Sequence, residues 1–388
     1  MPAAQSPQQT GRGMPCASLP APDGLLTSVR AMRGSQEFSI MSRRFVPVLC
    51  LILLLSLSGC SPAGGEAVQE FFAMDTLMRV QLSGPKAEAA VQAAVAEVNR
   101  LDRLLSRTGE DSDVARINAH AGDGGEVTVS QETAVLLAQA LEASAATGGA
   151  FDVTIAPVMD AWGFGTSEAE LRVPAQDELS ALLPLVDSGA LHVDPERNTA
   201  RLDAPGAELD LGGIAKGYAA DRLMALLAGY DVSSALLNLG SSTIAALGTR
   251  PDGGPWRIAL RDPQNEDGQL LVLALSDQVL STSGGYERFF EADGVVYHHI
   301  LDPETGMPAR SGLLSVTVVS DQGAEADALS TALYVMGPEQ ALDFWRTRDT
   351  FECILCLDDG TVLVTEGLED AVTFKGDANG YTCEIVRR

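Results

Sequence analysis

Apolar positions along this chain repeat with two different periods. Residues 86–105 bring Ala, Val and Leu back at the helical repeat and predict an amphipathic helix; residues 131–147 predict an alanine-rich one, stopped by Gly148 and Gly149. Alternation of apolar and polar residues predicts a first strand over 70–83. A polar loop is expected over 105–118, a short strand over 127–129, a helix over 175–182 and a hairpin over 191–202. Beyond residue 233 strands dominate: 234–247, 256–261, 269–275, 279–283 and 313–320. A hairpin over 285–300 turns at Asp293-Gly294, a helix covers 324–336, and at least two strands over 351–375 turn at Asp359-Gly360. Helices and strands mixed without strict alternation or internal repeat give an α+β fold class.

Residues 208–227 stand between the two regimes. They read as a strand end (Leu209, Leu211), a Gly212-Gly213 turn, and an amphipathic helix carrying Ile214, Tyr218, Leu223, Leu226 and Leu227. Paired glycines let the backbone approach a ligand, and the helix start offers free N–H groups and a positive dipole end that suit a phosphate. Asp210 and Lys216 put opposite charges around that cradle. It is not a Walker A loop, because the lysine follows the glycines too soon and Gly217 stands where Ser or Thr is required. An ordinary strand–helix junction fits the same residues.

Composition narrows the partners. The 388 residues suffice for one large domain or two with a sizeable core, and a net charge of −27 argues against nucleic acid. Residues 1–40 are rich in Pro, Gly, Ser and Gln and lack periodicity. Arg43-Arg44, an apolar run over 45–57 and Leu57-Ser58-Gly59-Cys60 then have the form of a bacterial lipoprotein signal, too short for a membrane span. The expected organisation is a non-native upstream extension over 1–40, a signal peptide over 41–59, a tether over 60–69 and one domain over 70–388. Lipid on Cys60 would hold the mature chain to the outer face of the bacterial cell membrane. Of the remaining cysteines, Cys353 and Cys356 are three apart in a strand-like run and point to opposite faces, which argues against a metal or redox pair. Buried thiols or one disulfide to Cys383 both fit.

Three further segments carry chemistry, each with a plainer alternative. In 148–165, Phe151 and Trp162 offer planar faces for a flat ligand and Asp152 an acceptor, or else a buried aromatic beside a capping aspartate. In 279–308, Tyr297 and His299 share a strand face while His298 points away; His299 is a general base or a hydrogen-bonded core histidine. In 325–333, Asp327 and Thr331 lie four apart on one helical face, a hard-oxygen site for Mg²⁺ or a pair serving its own helix.

Together, Met74-Asp75-Thr76, Gly149-Ala150-Phe151-Asp152-Val153-Thr154, Trp162-Gly163-Phe164-Gly165, the run from Leu209 to Gly217, Asn238-Leu239-Gly240, Thr282-Ser283-Gly284, the run from His299 to Gly306 and the run from Ala326 to Thr331 closely resemble the ApbE family of FAD:protein FMN transferases. The resemblance spans residues 71–337. It implies a T-fold-like α+β architecture with FAD in a cleft between two halves. Met74, Ala150, Phe151, Asp152, Asp210, Lys216 and Leu301 would contact FAD; the Gly213 carbonyl, Asp327 and Thr331 would hold Mg²⁺; His299 would act as base beside the reacting phosphate. The implied reaction moves FMN from FAD to a Thr or Ser hydroxyl of a partner flavoprotein, such as a membrane redox subunit or extracytoplasmic flavoprotein, and releases AMP. With water as acceptor the site would be an FAD pyrophosphatase; without catalysis, the chain would be a lipid-anchored FAD-binding protein. Two departures stand out: Ser241-Ser242 where the family commonly has Gly-Asp, and Thr108 where a ring-stacking Tyr is frequent. Residues 327–333 echo the family's acceptor pattern without its final Thr, so the chain is not expected to flavinylate itself.

Overall fold

The computed structural model describes residues 65–165 and 170–388; the expected extension, the signal segment and Cys60 lie outside the described residues. A nine-stranded sheet organises the described chain. Its strands are β1 (Gly65–Ala73), β2 (Thr76–Gly84), β3 (Ser234–Leu239), β4 (Thr243–Gly248), β5 (Gln278–Gly284), β6 (Leu313–Ser320), β7 (Phe351–Leu357), β8 (Thr361–Thr365) and β9 (Thr382–Val386). Spatial order follows chain order, with antiparallel neighbours until the last pair, β8–β9, which is parallel.

Three helices cover one face: α1 (Ala87–Leu105), α2 (Ala215–Leu227) and α3 (Gly323–Met336). The apolar stripe of α1 (Ala90, Val91, Ala94, Val98, Leu101) packs with Met78, Val80 and Leu82 of β2 and with Leu223 and Leu227 of α2. On the other face, Ala246, Leu280, Val319 and Ile354 lie beneath a three-stranded sheet formed by Trp256–Asp262, Asn265–Leu275 and Val372–Phe374. Because strand side chains alternate, each central strand feeds both cores. On β7, Cys353 and Leu355 enter the core under α3, while Ile354 and Cys356 enter the opposite one. The two thiols therefore face apart, and Cys353, Cys356 and Cys383 are all free. Strands and helices mixed around one sheet make this an α+β fold.

Several boundaries differ from the sequence pattern. The strand expected over 70–83 is a hairpin: β1 begins at Gly65, inside the stretch assigned to the tether, and Ala73 pairs with Thr76 across Met74-Asp75. Both turn residues have positive φ, 47° and 58°, the mirror-type turn that suits strand twist but that Met rarely adopts, so the usual glycine signal was missing. The run 234–247 likewise folds back, through Gly240-Ser241-Ser242. Inside the expected loop over 105–118, Asp113–Ala119 is helical, with Ser112 as its cap accepting from the Ala115 N–H.

Candidate functional site

The site grows from the crossing of α2 and α3. Gly217, in the first turn of α2, and Gly323, first residue of α3, bring the two backbones together: a Cβ on Gly217 would lie 2.5 Å from the Gly323 carbonyl carbon and 2.7 Å from the Asp327 Cβ. At that distance Asp327 reaches across. Its Oδ2 accepts the Gly217 N–H at 2.9 Å, and its Oδ1 accepts the Ser281 hydroxyl at 2.8 Å and the Thr243 hydroxyl at 3.4 Å. Asp327 is buried, 5 % exposed, so these donors are what keep a carboxylate there tolerable. A carboxylate has about four lone-pair sites, and three are used; one is left for a cation. One turn on, the Thr331 hydroxyl lies 3.2 Å from that of Ser283, and 3.7 Å from where a Cβ of Gly213 would stand. The Thr331 hydroxyl thus stands beside Gly213, one helical turn from Asp327. Among the described residues no group of three or more His, Cys, Asp or Glu converges as a metal site. A cation here would rest on one carboxylate and neutral oxygens, a donor set that suits Mg²⁺ keeping water or phosphate in its shell.

The glycine turn is tied to the 150–155 segment. The Asp210 N–H donates to the Val153 carbonyl at 2.7 Å, and Ile155 bridges Glu208. Phe151, buried at 4 %, sets its ring edge 3.1 Å from a Cβ position on Gly213, which is the packing reason for glycine there. Lys216 Nζ donates to the Gly212 carbonyl at 3.0 Å, and Asp210 Oδ1 accepts the Gly212 N–H at 2.7 Å. Asp152 faces its own chain: Oδ1 takes the Thr154 N–H and hydroxyl at 2.8 and 2.6 Å, and Oδ2 the Ser188 N–H at 2.9 Å. Ala150, half-buried, precedes them. Arg107, which no sequence pattern singled out, joins these parts by binding Asp160 and Glu208 and standing 3.8 Å from Asp210. Burial opposes its charge, but the bonds to Asp160 and Glu208 and the attraction of Asp210 prevail and raise its pKa.

His299 and Leu301 come from the far side of the hairpin Phe289–Ala292/Val295–His298. His299 Nδ1 donates to the Arg288 carbonyl at 3.1 Å, which fixes the proton on Nδ1 and leaves Nε2 with a free lone pair. Burial first, then the positive charge of Arg288, push its pKa down to about 3, with Lys216 adding to the effect; the ring is neutral at physiological pH. His298 points away, to the Ala309 carbonyl and edge-on to Tyr334. Leu301 is buried with Val158, Trp162, Phe164 and Leu179. The expectation that Trp162 could stack on a ligand is wrong: its ring is fully buried, centred 5.3 Å from Tyr297, and its N–H donates to the Gly306 carbonyl. The depressed histidine also has a stability consequence. Below pH 6.5 the unfolded chain takes up a proton that folded His299 refuses, so stability present above that pH drains away as pH falls toward 3. Urea unfolding at pH 7 and pH 5 should show this loss shrinking in His299→Gln; an unchanged loss would mean the ring is not shielded.

Met74, at the β1–β2 turn, packs on the same core as Phe151. Thr108 contacts only Ser106 among the bonds formed there. Ser241 sits in the β3–β4 turn at φ 65°, its N–H donated to Asn238. A cavity of about 430 Å³, lined by Thr76, Asn238, Ser241, Ser242, Thr282 and Tyr286, lies behind β5, on the face opposite Asp327, and is not lined by Gly213, Asp327, Thr331 or His299. The alternation that sends Thr282 there sends Ser281 and Ser283 to Asp327 and Thr331. Those two serines, with Thr243 and Arg107, are the site residues missed in the sequence. The Thr282-Ser283-Gly284 run was visible; only pairing with β4 and β6 reveals which side chains face α3.

Comparison with known proteins places this geometry in context. The ApbE family model matches residues 74–355. The FAD:protein FMN transferase of Treponema pallidum is 34% identical over 344 residues, 83% of this chain and 94% of that protein. That of Escherichia coli K12 is 31% identical, over 79% of this chain and 91% of its own. Among solved structures, the ApbE protein of Thermotoga maritima superposes with a TM-score of 0.73 at 33% identity, covering 79% of this chain and 99% of that one. The apo flavinyl transferase ApbE of Pseudomonas stutzeri gives 0.70 at 31%, covering 79% and 97%.

Proposed function

This chain belongs to the ApbE family, and from that membership and the α2–α3 site we propose that it is an FAD:protein FMN transferase, dependent on Mg²⁺, that esterifies a Thr or Ser hydroxyl of a partner protein and releases AMP. The observation that supports the reading is the Thr331 hydroxyl beside Gly213, one helical turn from a buried, donor-held Asp327 carboxylate with one lone pair unspent. FAD would lie with its diphosphate across the glycine turn, touching Met74, Ala150, Phe151, Asp152, Asp210, Lys216 and Leu301. Phe151 and Arg107 act by holding the turn, since the first packs on Gly213 and the second ties Glu208 to Asp160. Lys216 offers a positive charge beside the diphosphate.

Mg²⁺ held by the Gly213 carbonyl, Asp327 and Thr331 would neutralise charge on the transferring phosphorus and on departing AMP. The Nε2 lone pair of His299 is free to accept the proton of the acceptor hydroxyl as its oxygen bonds to the FMN phosphorus. The bond from that phosphorus to the bridging oxygen breaks, and its electron pair leaves with AMP. A neutral imidazole with a low pKa is a weak base, which suits a loose transition state in which the hydroxyl loses its proton late. The acceptor is a flavoprotein, and we infer that lipid on Cys60 holds the enzyme at the outer face of the bacterial membrane beside such partners.

Incubation of the purified chain with a separately purified acceptor domain bearing a Thr or Ser site, followed by intact mass, tests the reaction. The acceptor should gain one FMN only when FAD and Mg²⁺ are supplied. FMN and AMP released without any acceptor adduct would assign the site to hydrolysis, and FAD recovered intact would leave only a binding protein.

A further inference from the structure

The N-terminus of α3 has no cap of its own. Gln322, at the cap position, makes no side-chain bond there, yet the helix carries Asp327 and Thr331 and must begin with N–H groups that want partners. The partners come from another helix. Asp221, a turn and a half into α2, accepts the Gly323 N–H on Oδ1 at 2.5 Å and the Ala324 N–H on Oδ2 at 2.9 Å. Two oxygens meet two donors, and the carboxylate stands at the positive end of the α3 dipole.

We propose that Asp221 is a positioning residue for the metal site: by capping α3 from α2, it sets the distance between the Gly213 carbonyl at the start of one helix and Asp327 and Thr331 on the other. The inference rests on the Mg²⁺ reading of those three residues. Three ties join the helices in register: the Asp221 cap, the backbone contact of Gly217 with Gly323, and the Gly217 N–H bond to Asp327. The Gly213 carbonyl lies one turn before Gly217, and Asp327 one turn after Gly323. Loosening the cap lets the start of α3 tilt, and the ligands from the two helices then shift against each other. Asp221 acts here as a cap, one oxygen facing the Gly323 N–H and the other the Ala324 N–H of α3.

The chemistry of the cation supplies a readout that general destabilisation does not move. Mg²⁺ demands near-ideal octahedral geometry at short distances, whereas Ca²⁺ accepts longer and irregular ones. A site whose ligands are intact but misplaced should therefore lose Mg²⁺ more than Ca²⁺. Asp221→Asn conserves volume but presents one acceptor and an amide N–H₂ to two N–H donors. Calorimetric titration of the FAD-loaded full chain with each cation, without acceptor, should show Mg²⁺ affinity about tenfold weaker in Asp221→Asn and Ca²⁺ affinity changed far less. Leu273→Ala, in the core on the opposite face of the sheet, serves as a destabilised control and should leave the ratio of the two affinities alone. If Asp221→Asn does not fold, Asp221→Glu carries the same measurement, since it keeps both acceptors on a longer stem and should shift the ratio the same way. Equal loss of both cations, or no loss of either, overturns the positioning role. Absence of cation binding in the unaltered FAD-loaded chain overturns the metal reading as well.

Discussion

Replacing Asp327 by Asn should leave the fold standing and remove FMN transfer almost entirely. The amide has nearly the shape of the carboxylate. Its oxygen can keep the Gly217 N–H, and its N–H₂ can donate to the Ser281 and Thr243 hydroxyls, which are able to rotate and accept. What disappears is the negative charge on the remaining lone pair, the one anionic donor in the proposed Mg²⁺ set. Loss of a preorganised electrostatic contact of this kind slows a reaction by about 10²–10³-fold. Asp327→Ala is a different experiment. It strands a buried Gly217 N–H, which costs about 1–3 kcal/mol, and so confounds catalysis with stability. The comparison to make is single-turnover FMN transfer by Asp327→Asn beside its thermal midpoint. A folded protein that transfers FMN at the original rate, with the original Mg²⁺ dependence, would show that this carboxylate holds no metal.

Most of the fold could be read from periodicity, and the exceptions share a cause. α1, α3 and the hairpin at Asp293-Gly294 formed where the pattern placed them, because each carries its signal locally: an apolar stripe or a turn dipeptide. The hairpins at Met74-Asp75 and Gly240-Ser241-Ser242 carry the pattern of continuous strands, because their tight turns lack the Asn-Gly or Asp-Gly chemistry that marks one; core packing holds Met74 at positive φ, and a bond from its N–H to Asn238 holds Ser241 there. The candidate site divided in the same way. Asp327, Thr331 and Gly213 are written in motifs whose spacing is local to a helix or a turn. The groups that make the buried carboxylate tenable, Ser281, Thr243 and the Gly217 N–H, arrive from three separate elements, and strand pairing decides which of them face it. Trp162 shows the opposite error. An aromatic among glycines resembles a ligand platform until the hairpin Phe289–Ala292/Val295–His298 closes over it.

Gly217→Ala should be among the most damaging single-methyl changes in the protein, although Ala is the better helix former. Propensity alone favours Ala by about 1 kcal/mol. Against it stands the crossing with α3. The new methyl would lie 2.5 Å from the Gly323 carbonyl carbon and 2.7 Å from the Asp327 Cβ, where carbon atoms settle about 3.5–4.0 Å apart. The nearest obstacle is backbone, which cannot swing aside as a side chain would. The helices must separate, and separation breaks the 2.9 Å bond from the Gly217 N–H to the Asp327 carboxylate, a charge-assisted bond worth about 1.5–3 kcal/mol. Overpacking adds about 1–3 kcal/mol, so the two penalties together exceed the propensity gain and the net change is a loss of about 1.5–5 kcal/mol. Gly229 is the matched control: a Cβ there meets nothing within 4 Å, so Gly229→Ala should be neutral or mildly stabilising. Thermal melts should place Gly217→Ala roughly 5 °C or more below the unaltered chain, and its transfer activity should fall further than its folded fraction, because Asp327 moves away from Gly213. Equal midpoints for the two glycine variants would mean that α2 and α3 do not touch at Gly217, and the site built on their crossing would lose its foundation.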